Sequence, residues 1–560
     1  MRSRFPLFCI LLLTTVFCAG NAHAQQALFE ASDFYQSDKI IPIEIVLSEE
    51  DWDEISVQTR DFAGSLSKDS VDSPFTWVPA DITIDGKKIE NVGIRKKGFL
   101  GSLDNDRPSL KVRFDKYVDQ EPVNGLTRMT LNNNKQDPGR VLQYFTYKMF
   151  SNSGTRSPRC GFAAVTVNGK YLGLYSNVES IRKPMLEHAF GNDDGALYEG
   201  TVADFFPDRI QRFEKKNKAA KTKHLRKLAE LLAEDEIDID ELKERVDIDA
   251  FIRYWAMESL IGFWDSYCSN QNNFYLYRNP ENDKFYFIPW GADSSLSKTT
   301  PLPPYRIRPR SVHAKAILPN KLYRIPEYQT QYLEVLSDFL DEHWKEELLL
   351  SELDRLEAML EPQSIDKDFG ETMDKYRSFI KTRRRSIERE IAKGAPELKS
   401  REQKPIYFSM NGSARVTFSG KWYDNAPRNK SNLGEAEIQL SVDGKEVEVT
   451  DPAVYSEVSK WPNQGETPPA TVVIMCTRKS DGKRLTIAAT LPQNKFKPTG
   501  EGTTDVGGVL IEGMNFGDMQ WLSGSIQLDD ASMAEGAAVK GNLEVKIATM
   551  KGLGEDEDDE

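Results

Sequence analysis

Residues 261–293 read IGFWDSYCSNQNNFYLYRNPENDKFYFIPWGAD, and they join an apolar helix to a polar loop and a β-hairpin. The helix begins after Asp247, which has the N-cap position, and its apolar residues cover almost the whole circumference. The hairpin is predicted to have strands at 274–278 and 284–290 around the turn 279–283. A helix of this kind is expected to be buried, with the hairpin packed beside it.

The polar side chains of this stretch predict an oxygen-rich site. Asp265 follows apolar residues, where a carboxylate is either paired structurally or functional. Pairing of Arg278 with Lys284 sets the expected register of the hairpin. In that register Asn273 and Asp293 emerge from the same end, and their oxygens suit Mg²⁺. Protein kinases hold their phosphoryl-transfer groups in this order; the alternative is an Asn-rich connector with an N-cap Asp.

A second motif, at residues 91–114, predicts a phosphate cradle. A strand leads to the loop 98–102, which contains Gly98 and Gly101, and a second strand returns from it. Alternation along the returning strand places Lys111 on its polar face. Backbone N–H groups of a glycine loop and one lysine charge are what a nucleotide phosphate requires. The alternative is a basic strand face that is merely solvated.

The periodicity of the chain changes near residues 395–405, where Gly and Pro interrupt a helical pattern. Before this boundary, strand-like alternation over 28–180 precedes long helical segments, which predicts a mixed domain over 28–397. After it, short strands with tight turns predict an all-β, sandwich-like domain over 405–550. The predicted fold class is therefore α+β.

The two ends of the sequence carry signals of their own. Residues 1–24 have the charged start, the apolar run and the Ala-His-Ala site of a secretory signal peptide, and the run is too short to span a membrane. We therefore expect an exported bacterial protein, periplasmic, cell-surface or extracellular, without a transmembrane segment after cleavage. Residues 551–560 are expected to form an acidic, disordered tail. The net charge of −14 argues against a nucleic-acid partner.

Several segments, in order, resemble the spore coat protein H (CotH) kinase family, whose members are secreted atypical protein kinases. These segments are Val-Gly-Ile-Arg-Lys-Lys-Gly (92–98), Arg-Pro-Ser-Leu-Lys-Val-Arg-Phe (107–114), Leu-Asn-Asn-Asn (131–134), Val-Asn-Gly-Lys-Tyr-Leu-Gly-Leu-Tyr-Ser-Asn-Val-Glu (167–179), Asp265, Asn-Asn-Phe-Tyr-Leu-Tyr (272–277) and Ile-Pro-Trp (288–290). The resemblance spans roughly residues 30–395 and leaves out the C-terminal domain.

This resemblance implies a two-lobed, kinase-like fold that transfers the γ-phosphoryl group of ATP, with Mg²⁺ or Mn²⁺, to Ser or Thr of an exported protein or of itself. It implies that Asp265 is the catalytic base and that Asn273 and Asp293 hold the metal. The implied ATP-binding residues are Gly98 and Gly101 of the loop, Lys111 as the phosphate lysine with Arg107 as the competing choice, and Glu179 as the partner of that lysine.

The chain departs from the family pattern at three positions. The family usually reads Trp-Asp-x-Asp where residues 290–293 read Trp-Gly-Ala-Asp, so one expected carboxylate is missing at Gly291. Arg182 stands where an acidic residue is common, and Phe99 where a small polar residue is common. The alternative function is therefore a catalytically impaired pseudokinase that binds a surface or matrix partner. A carbohydrate-active enzyme is a third possibility, based only on the sandwich and the many carboxylates.

Overall fold

The structure is a computed structural model, and it describes residues 27–67, 73–297, 310–398, 400–425, 433–459, 467–513 and 519–551. The expected signal peptide (1–24) and residues 552–560 of the expected acidic tail lie outside these ranges. Lys551, which was assigned to the tail, is instead the last residue of a strand. Within the described ranges, no helix has the length and apolar character needed to cross a membrane.

The N-terminal part of the described chain contains a closed, seven-stranded barrel. The strands of this part are β1 (Phe29–Glu30), β2 (Ile40–Val46), β3 (Val78–Ile84), β4 (Lys87–Lys97), β5 (Ser109–Arg113), β6 (Val123–Asn124), β7 (Arg128–Asn132), β8 (Cys160–Val167) and β9 (Lys170–Val178). The barrel follows the order β2-β3-β4-β5-β7-β9-β8, and only its closing pair, β2 with β8, is parallel. β1 and β6 form a separate parallel pair.

Alternation along β5 gives the barrel an apolar interior and a basic outer face. Leu110 and Val112 are buried in the barrel core, whereas Lys111 and Arg113 between and beside them are only half-buried. Consecutive side chains of a strand point to opposite faces, so the side chains of Lys111 and Arg113 lie outside the barrel. The predicted position of Lys111 on a polar face is confirmed.

Helices and a second sheet follow the barrel. The helices are α1 (Glu49–Val57), α2 (Phe62–Ser65), α3 (Leu142–Asn152), α4 (Lys183–Phe190), α5 (Thr222–Ala233), α6 (Ile239–Arg245), α7 (Ile248–Leu260), α8 (Tyr267–Asn270), α9 (Ile317–Tyr323), α10 (Pro326–Glu342), α11 (Glu346–Leu360) and α12 (Phe369–Ile391). The second sheet is antiparallel, in the order β11-β10-β12-β13, with β10 (Ala196–Gly200), β11 (Glu214–Lys215), β12 (Phe274–Arg278) and β13 (Phe285–Pro289). α7 begins after Asp247, whose side chain accepts a hydrogen bond from the N–H of Ala250, as predicted.

The register of the β12–β13 hairpin differs by one residue from the prediction. Arg278 pairs with Phe285 rather than with Lys284. The reason is a longer turn: the N–H of Asn279 donates to the carbonyl of Lys284 at 3.0 Å, and Asp283 has a positive φ of 61°. A one-residue slip exchanges the faces of a strand. Here it brings Trp290, rather than Pro289, beside Asn273.

The described C-terminal part is all-β, as expected, but its strands belong to a single antiparallel sheet, which differs from the expected sandwich-like arrangement. The strands are β14 (Tyr407–Lys421), β15 (Glu435–Val442), β16 (Lys445–Glu446), β17 (Val449–Val458), β18 (Ala470–Arg478), β19 (Arg484–Leu491), β20 (Thr504–Glu512), β21 (Gln520–Asp530) and β22 (Ala538–Lys551). Their order is β16-β15-β14-β22-β21-β20-β19-β18-β17. The sheet curls until β17 bridges back to Trp422 and Gly434. The curl encloses one apolar core and protects the edge strand, which a flat sheet would leave unpaired.

An aromatic cluster joins the curled sheet to the barrel part. Phe62 of α2 packs against Phe408 and Trp521, with ring centroids 5.0 and 4.5 Å apart. Phe99, which follows Gly98 in the glycine loop, lies 6.1 Å from Phe62 on the other side. The C-terminal sheet therefore ends directly beside the glycine loop.

Candidate functional site

Asp265 lies in the loop between α7 and α8, inside a cradle of amide groups. Its carboxylate accepts hydrogen bonds from the Nδ2 atoms of Asn270 at 2.6 Å, Asn272 at 3.0 Å and Asn273 at 2.8 Å. Burial raises the pKa of Asp265, and the three amide donors oppose that shift only in part. The Asn-rich segment thus has a defined task, which is to orient one carboxylate.

Asn273 and Gly291 meet at the open end of the β12–β13 hairpin. Both have positive φ values, 53° and 56°, and a Cβ atom at residue 291 would lie 2.5 Å from Oδ1 of Asn273. Only glycine allows this close approach without movement of the amide. A carboxylate at residue 291, which the family pattern leads one to expect, would require Asn273 to move.

Asp293 is buried near two other carboxyl groups and one lysine. Burial raises its pKa to about 7, and the charges of Asp137 and Asp265 add to this shift, whereas the charge of Lys97 opposes it. No side chain within the described ranges forms an ion pair with Asp293. The structure therefore brings the predicted residues Asp265, Asn273 and Asp293 together.

Lys97 belongs to this site, and the sequence reasoning missed it. Its Nζ donates to Oδ1 of Asn132 and lies 5.8 Å from the ring centroid of Trp290. Burial lowers its pKa to about 8, and the charge of Asp293 opposes that shift. The signal was present in the sequence, because Lys97 stands directly before Gly98 at the end of a strand whose alternation puts Lys96 on the buried side.

The donor set of this site fits Mg²⁺ only with help from a substrate. No three His, Cys, Asp or Glu side chains in the described part of the chain are close enough to hold a metal by themselves. Magnesium sites in phosphoryl-transfer enzymes use one or two carboxylates together with phosphate oxygens and water. Oδ1 of Asn273 accepts no hydrogen bond from a described residue, so it is available as a ligand at this end of the hairpin.

A cleft on the outer face of the barrel faces the second sheet, and we call it the cationic cleft. It is lined by Trp77, Lys111, Arg128, Arg182, Tyr275 and Trp290. Arg95 lies opposite Lys111 on β4, with its guanidinium 4.9 Å from the ring centroid of Trp77. Burial lowers the pKa of Lys111 well below its ordinary value, and the charge of Arg95 lowers it further.

The implied ion pair of Lys111 with Glu179 is absent, which corrects that expectation. Glu179 is 1% exposed and binds Arg159, with Nη2 to Oε1 at 2.6 Å, and His188, with Nε2 to Oε2 at 3.1 Å. Burial would raise the pKa of Glu179, but the hydrogen bonds of His188 and Arg159 lower it overall. The carboxylate whose charge acts most on Lys111 is that of Glu199, which is bound to Lys216.

The other predicted ATP-binding residues lie in two different parts of the structure. Arg107 points into a different cleft, where it binds Asp366 at 3.0 Å. Gly98 has a φ of 134°, and a Cβ atom on Gly101 would lie 2.4 Å from the Gln136 amide. Backbone conformation at Gly98 and lack of space at Gly101 therefore explain why glycine occupies these two positions. The loop 98–102 contains a 3₁₀ turn, Leu100–Ser102, and its Phe99 packs near Phe62.

Comparisons with known proteins find a family model, a relative and a solved structure that are similar to parts of this chain. A model of the CotH kinase protein family matches residues 94–393. Inner spore coat protein H of Bacillus subtilis (strain 168) is 27% identical over 236 residues, which are 40% of this chain and 63% of that relative. The chain thus covers less than two thirds of the relative's length. The Helicobacter pylori proinflammatory kinase CtkA aligns with 51% of this chain and 93% of its own at 9% identity, with a TM-score of only 0.22.

Proposed function

Because the chain belongs to the CotH kinase family, we propose that it is an ATP-dependent protein kinase that phosphorylates Ser or Thr of an exported protein or of itself. One observation carries this proposal. Trp290 lines the cationic cleft, and the same ring lies 5.8 Å from Nζ of Lys97, whose charge acts on Asp293. This shared contact supports one site that contains both the cations that suit a triphosphate and the carboxylates that suit its transfer.

Each side chain has a separate role in this proposal. Asp265 accepts the proton of the substrate hydroxyl, and its amide donors hold the carboxylate in one orientation. Lys111 and Lys97 place positive charge against the phosphates. The barrel and the helical part with its second sheet act as the two lobes. Phosphoryl transfer has a loose transition state, so position and charge supply most of the catalysis.

Asn273 and Asp293 would hold Mg²⁺ or Mn²⁺ at this site. The bound metal would neutralise charge on the transferred phosphoryl group. Asp293 has no cationic partner within 4 Å among the described residues. Its carboxylate would therefore be free to coordinate a metal or a metal-bound nucleotide.

Export is the second element of the proposal. The signal-peptide pattern of residues 1–24 supports it, and so does the relative whose name places that protein in the inner spore coat. The site of action would be the periplasm, the cell surface or the extracellular space.

A catalytically impaired pseudokinase is the second candidate, and Gly291 favours it. The chain lacks a carboxylate at residue 291, and the Asn273 side chain occupies the space that one would need. Such a protein would keep a nucleotide or polyanion site and use it to bind a surface or matrix partner.

Phosphoryl transfer from labelled ATP distinguishes the candidates. The mature chain, incubated with Mg²⁺ or Mn²⁺, is compared with Asp265→Asn and Asp293→Asn, and with Asp505→Asn as a control at an exposed site in the C-terminal sheet. The kinase proposal expects transfer that falls about 10²–10⁴-fold in Asp265→Asn, as loss of a general base does, and that persists in the control. Nucleotide binding without transfer supports the pseudokinase. Neither binding nor transfer contradicts both.

A further inference from the structure

The cationic cleft and its rim carry more positive charge than nearby carboxylates neutralise. Among the described residues, no carboxylate lies within 4 Å of the cationic groups of Arg60, Arg95, Lys111 or Arg128. The Nε atoms of Arg60 and Arg95 are buried without a hydrogen-bond partner. The charges of Arg60, Arg128 and Arg182 all act on Arg95. Cations gathered in this way are a site for a polyanion.

The last described strand ends at the aromatic cluster that also contains Phe99 of the glycine loop. Met550 pairs with Phe408 across β22 and β14, and both residues pack in the aromatic cluster with Phe62 and Phe99. Residues 552–560 follow directly and read GLGEDEDDE, with six consecutive carboxylates from Glu555 to Glu560. In the sequence, a strongly acidic segment therefore follows directly after a strand whose end packs with the glycine loop.

The distance from this point to the cations is short. From the ring of Phe408, centroid spacings of 5.0 Å to Phe62 and 6.1 Å to Phe99 lead to the guanidinium of Arg60, 5.9 Å from the Phe99 centroid. Nine extended residues reach about 30 Å.

We propose that residues 555–560 dock in the cationic cleft and compete there with phosphate groups. The carboxylates would bind the Lys111 and Arg128 side chains, and the Arg95 and Arg60 guanidiniums at the rim. Because the segment is tethered, its effective concentration at the cleft is on the order of millimolar. A nucleotide must displace it, so the segment acts as a built-in competitor. The competition with nucleotide rests on the proposed function, whereas the docking does not.

Zero-length carbodiimide cross-linking of the full chain tests the docking. The reagent joins a carboxylate to an amine in direct contact, and mass spectrometry locates the link. We expect links from residues 555–560 to Lys111 or Lys97, and their suppression by inorganic tripolyphosphate or by 0.5 M salt. Links only to lysines other than Lys111 and Lys97, or links that tripolyphosphate leaves unchanged, would overturn the proposal.

Nucleotide affinity of a neutralised full-length variant tests the competition. This variant combines Glu555→Gln, Asp556→Asn, Glu557→Gln, Asp558→Asn, Asp559→Asn and Glu560→Gln. A matched control removes the same charge from exposed, unpaired carboxylates of the C-terminal sheet and its loops through Glu435→Gln, Glu437→Gln, Glu446→Gln, Glu501→Gln, Asp505→Asn and Asp529→Asn.

The neutralised variant is expected to bind ATP roughly tenfold more tightly than the parent chain at low salt, the gain expected when a tethered competitor is removed. The control should bind ATP like the parent. Equal affinity in all three chains would overturn the competition. Cross-links without any ATP binding would contradict the kinase proposal but not the docking. ATP binding without cross-links would contradict the docking alone.

Discussion

Two hairpins bring their open ends to the candidate site, and their end residues are satisfied to very different degrees. At the end of β8–β9, the Glu179 carboxylate is bound by both Arg159 and His188. At the end of β12–β13, Oδ1 of Asn273 accepts no hydrogen bond from a described residue, and nearby Asp293 forms no ion pair with one. The carboxylate at the first end has its ion-pair partners within the protein, whereas the second end has oxygens without a described partner. Incomplete polar groups in a buried place indicate a ligand site, and complete ones indicate structure.

Replacement of Lys111 is expected to have the largest effect on binding. Lys111→Met removes a charge that meets phosphate, so ATP affinity should fall by about 10–100-fold, the value of a charged hydrogen bond. The free energy of unfolding should stay the same or rise, because burial disfavours the charge of Lys111 and no described carboxylate forms an ion pair with it. Calorimetric titration and denaturant unfolding measure the two quantities. Unchanged ATP affinity would show that the outer face of the barrel does not take part in ATP binding.

Replacement of Glu179 should show the opposite pattern. Glu179→Gln breaks the buried contacts with Arg159 and His188, so the free energy of unfolding should fall by about 2 kcal/mol, as for hydrogen bonds to charged groups. ATP affinity should not change. A loss of ATP affinity at unchanged stability would contradict this account. It would indicate that Glu179 acts with Lys111 in ATP binding and that the two hairpin ends do not differ in role.

Gly291 tests how tightly the second hairpin end is packed. Gly291→Ala puts a Cβ atom at a φ of 56° and against Asn273, so it should lower the free energy of unfolding by about 1 kcal/mol. Displacement of Asn273 should also weaken metal-dependent nucleotide binding. As a control, Gly444→Ala has a similar φ of 70° but no atom within 4 Å of the added Cβ. Equal effects on nucleotide binding would mean that the Asn273 contact is irrelevant.

The pH dependence of stability gives the smallest expected effect. The folded pKa of Glu179 lies below its ordinary value of 4.5, so its stabilising contribution is complete above that value and is lost as the pH falls through the folded pKa. The difference in unfolding free energy between the parent chain and Glu179→Gln should therefore shrink as the pH falls from about 5 to 3. A difference that is constant over this range would show that the carboxylate is not held by Arg159 and His188.

The sequence alone predicted the hairpin side of the site better than the barrel side. Asp265 is held by amides five, seven and eight residues away, and such local contacts follow from spacing. The partner of Glu179 depends on register instead. A bulge between Val165 and Thr166 shifts the β8–β9 pairing by one residue and places Arg159 opposite Glu179. Counting from the Asn168-Gly169 turn does not reveal such a bulge.

Long-range closure accounts for the remaining differences. The alternation of β5 was predicted correctly, but alternation does not determine that a sheet closes into a barrel, because closure depends on the distant pairing of β2 with β8. In the same way, inward-facing residues of the C-terminal strands fit either two packed sheets or one curled sheet. Lys97 was missed because its neighbours, Asn132 and Trp290, come from distant parts of the chain.

Covalent labelling with an ATP analogue that carries an acyl phosphate tests most directly whether the barrel face and the hairpin end form one site. The reagent acylates a lysine amine that contacts the phosphates, and the lowered pKa of Lys97, about 8, favours its reaction near neutral pH. We predict labelling of Lys111 or Lys97 that ATP with Mg²⁺ suppresses, and weaker suppression in Asp293→Asn. Labelling confined to lysines other than Lys111 and Lys97, or labelling that ATP does not suppress, would contradict the assignment of this site.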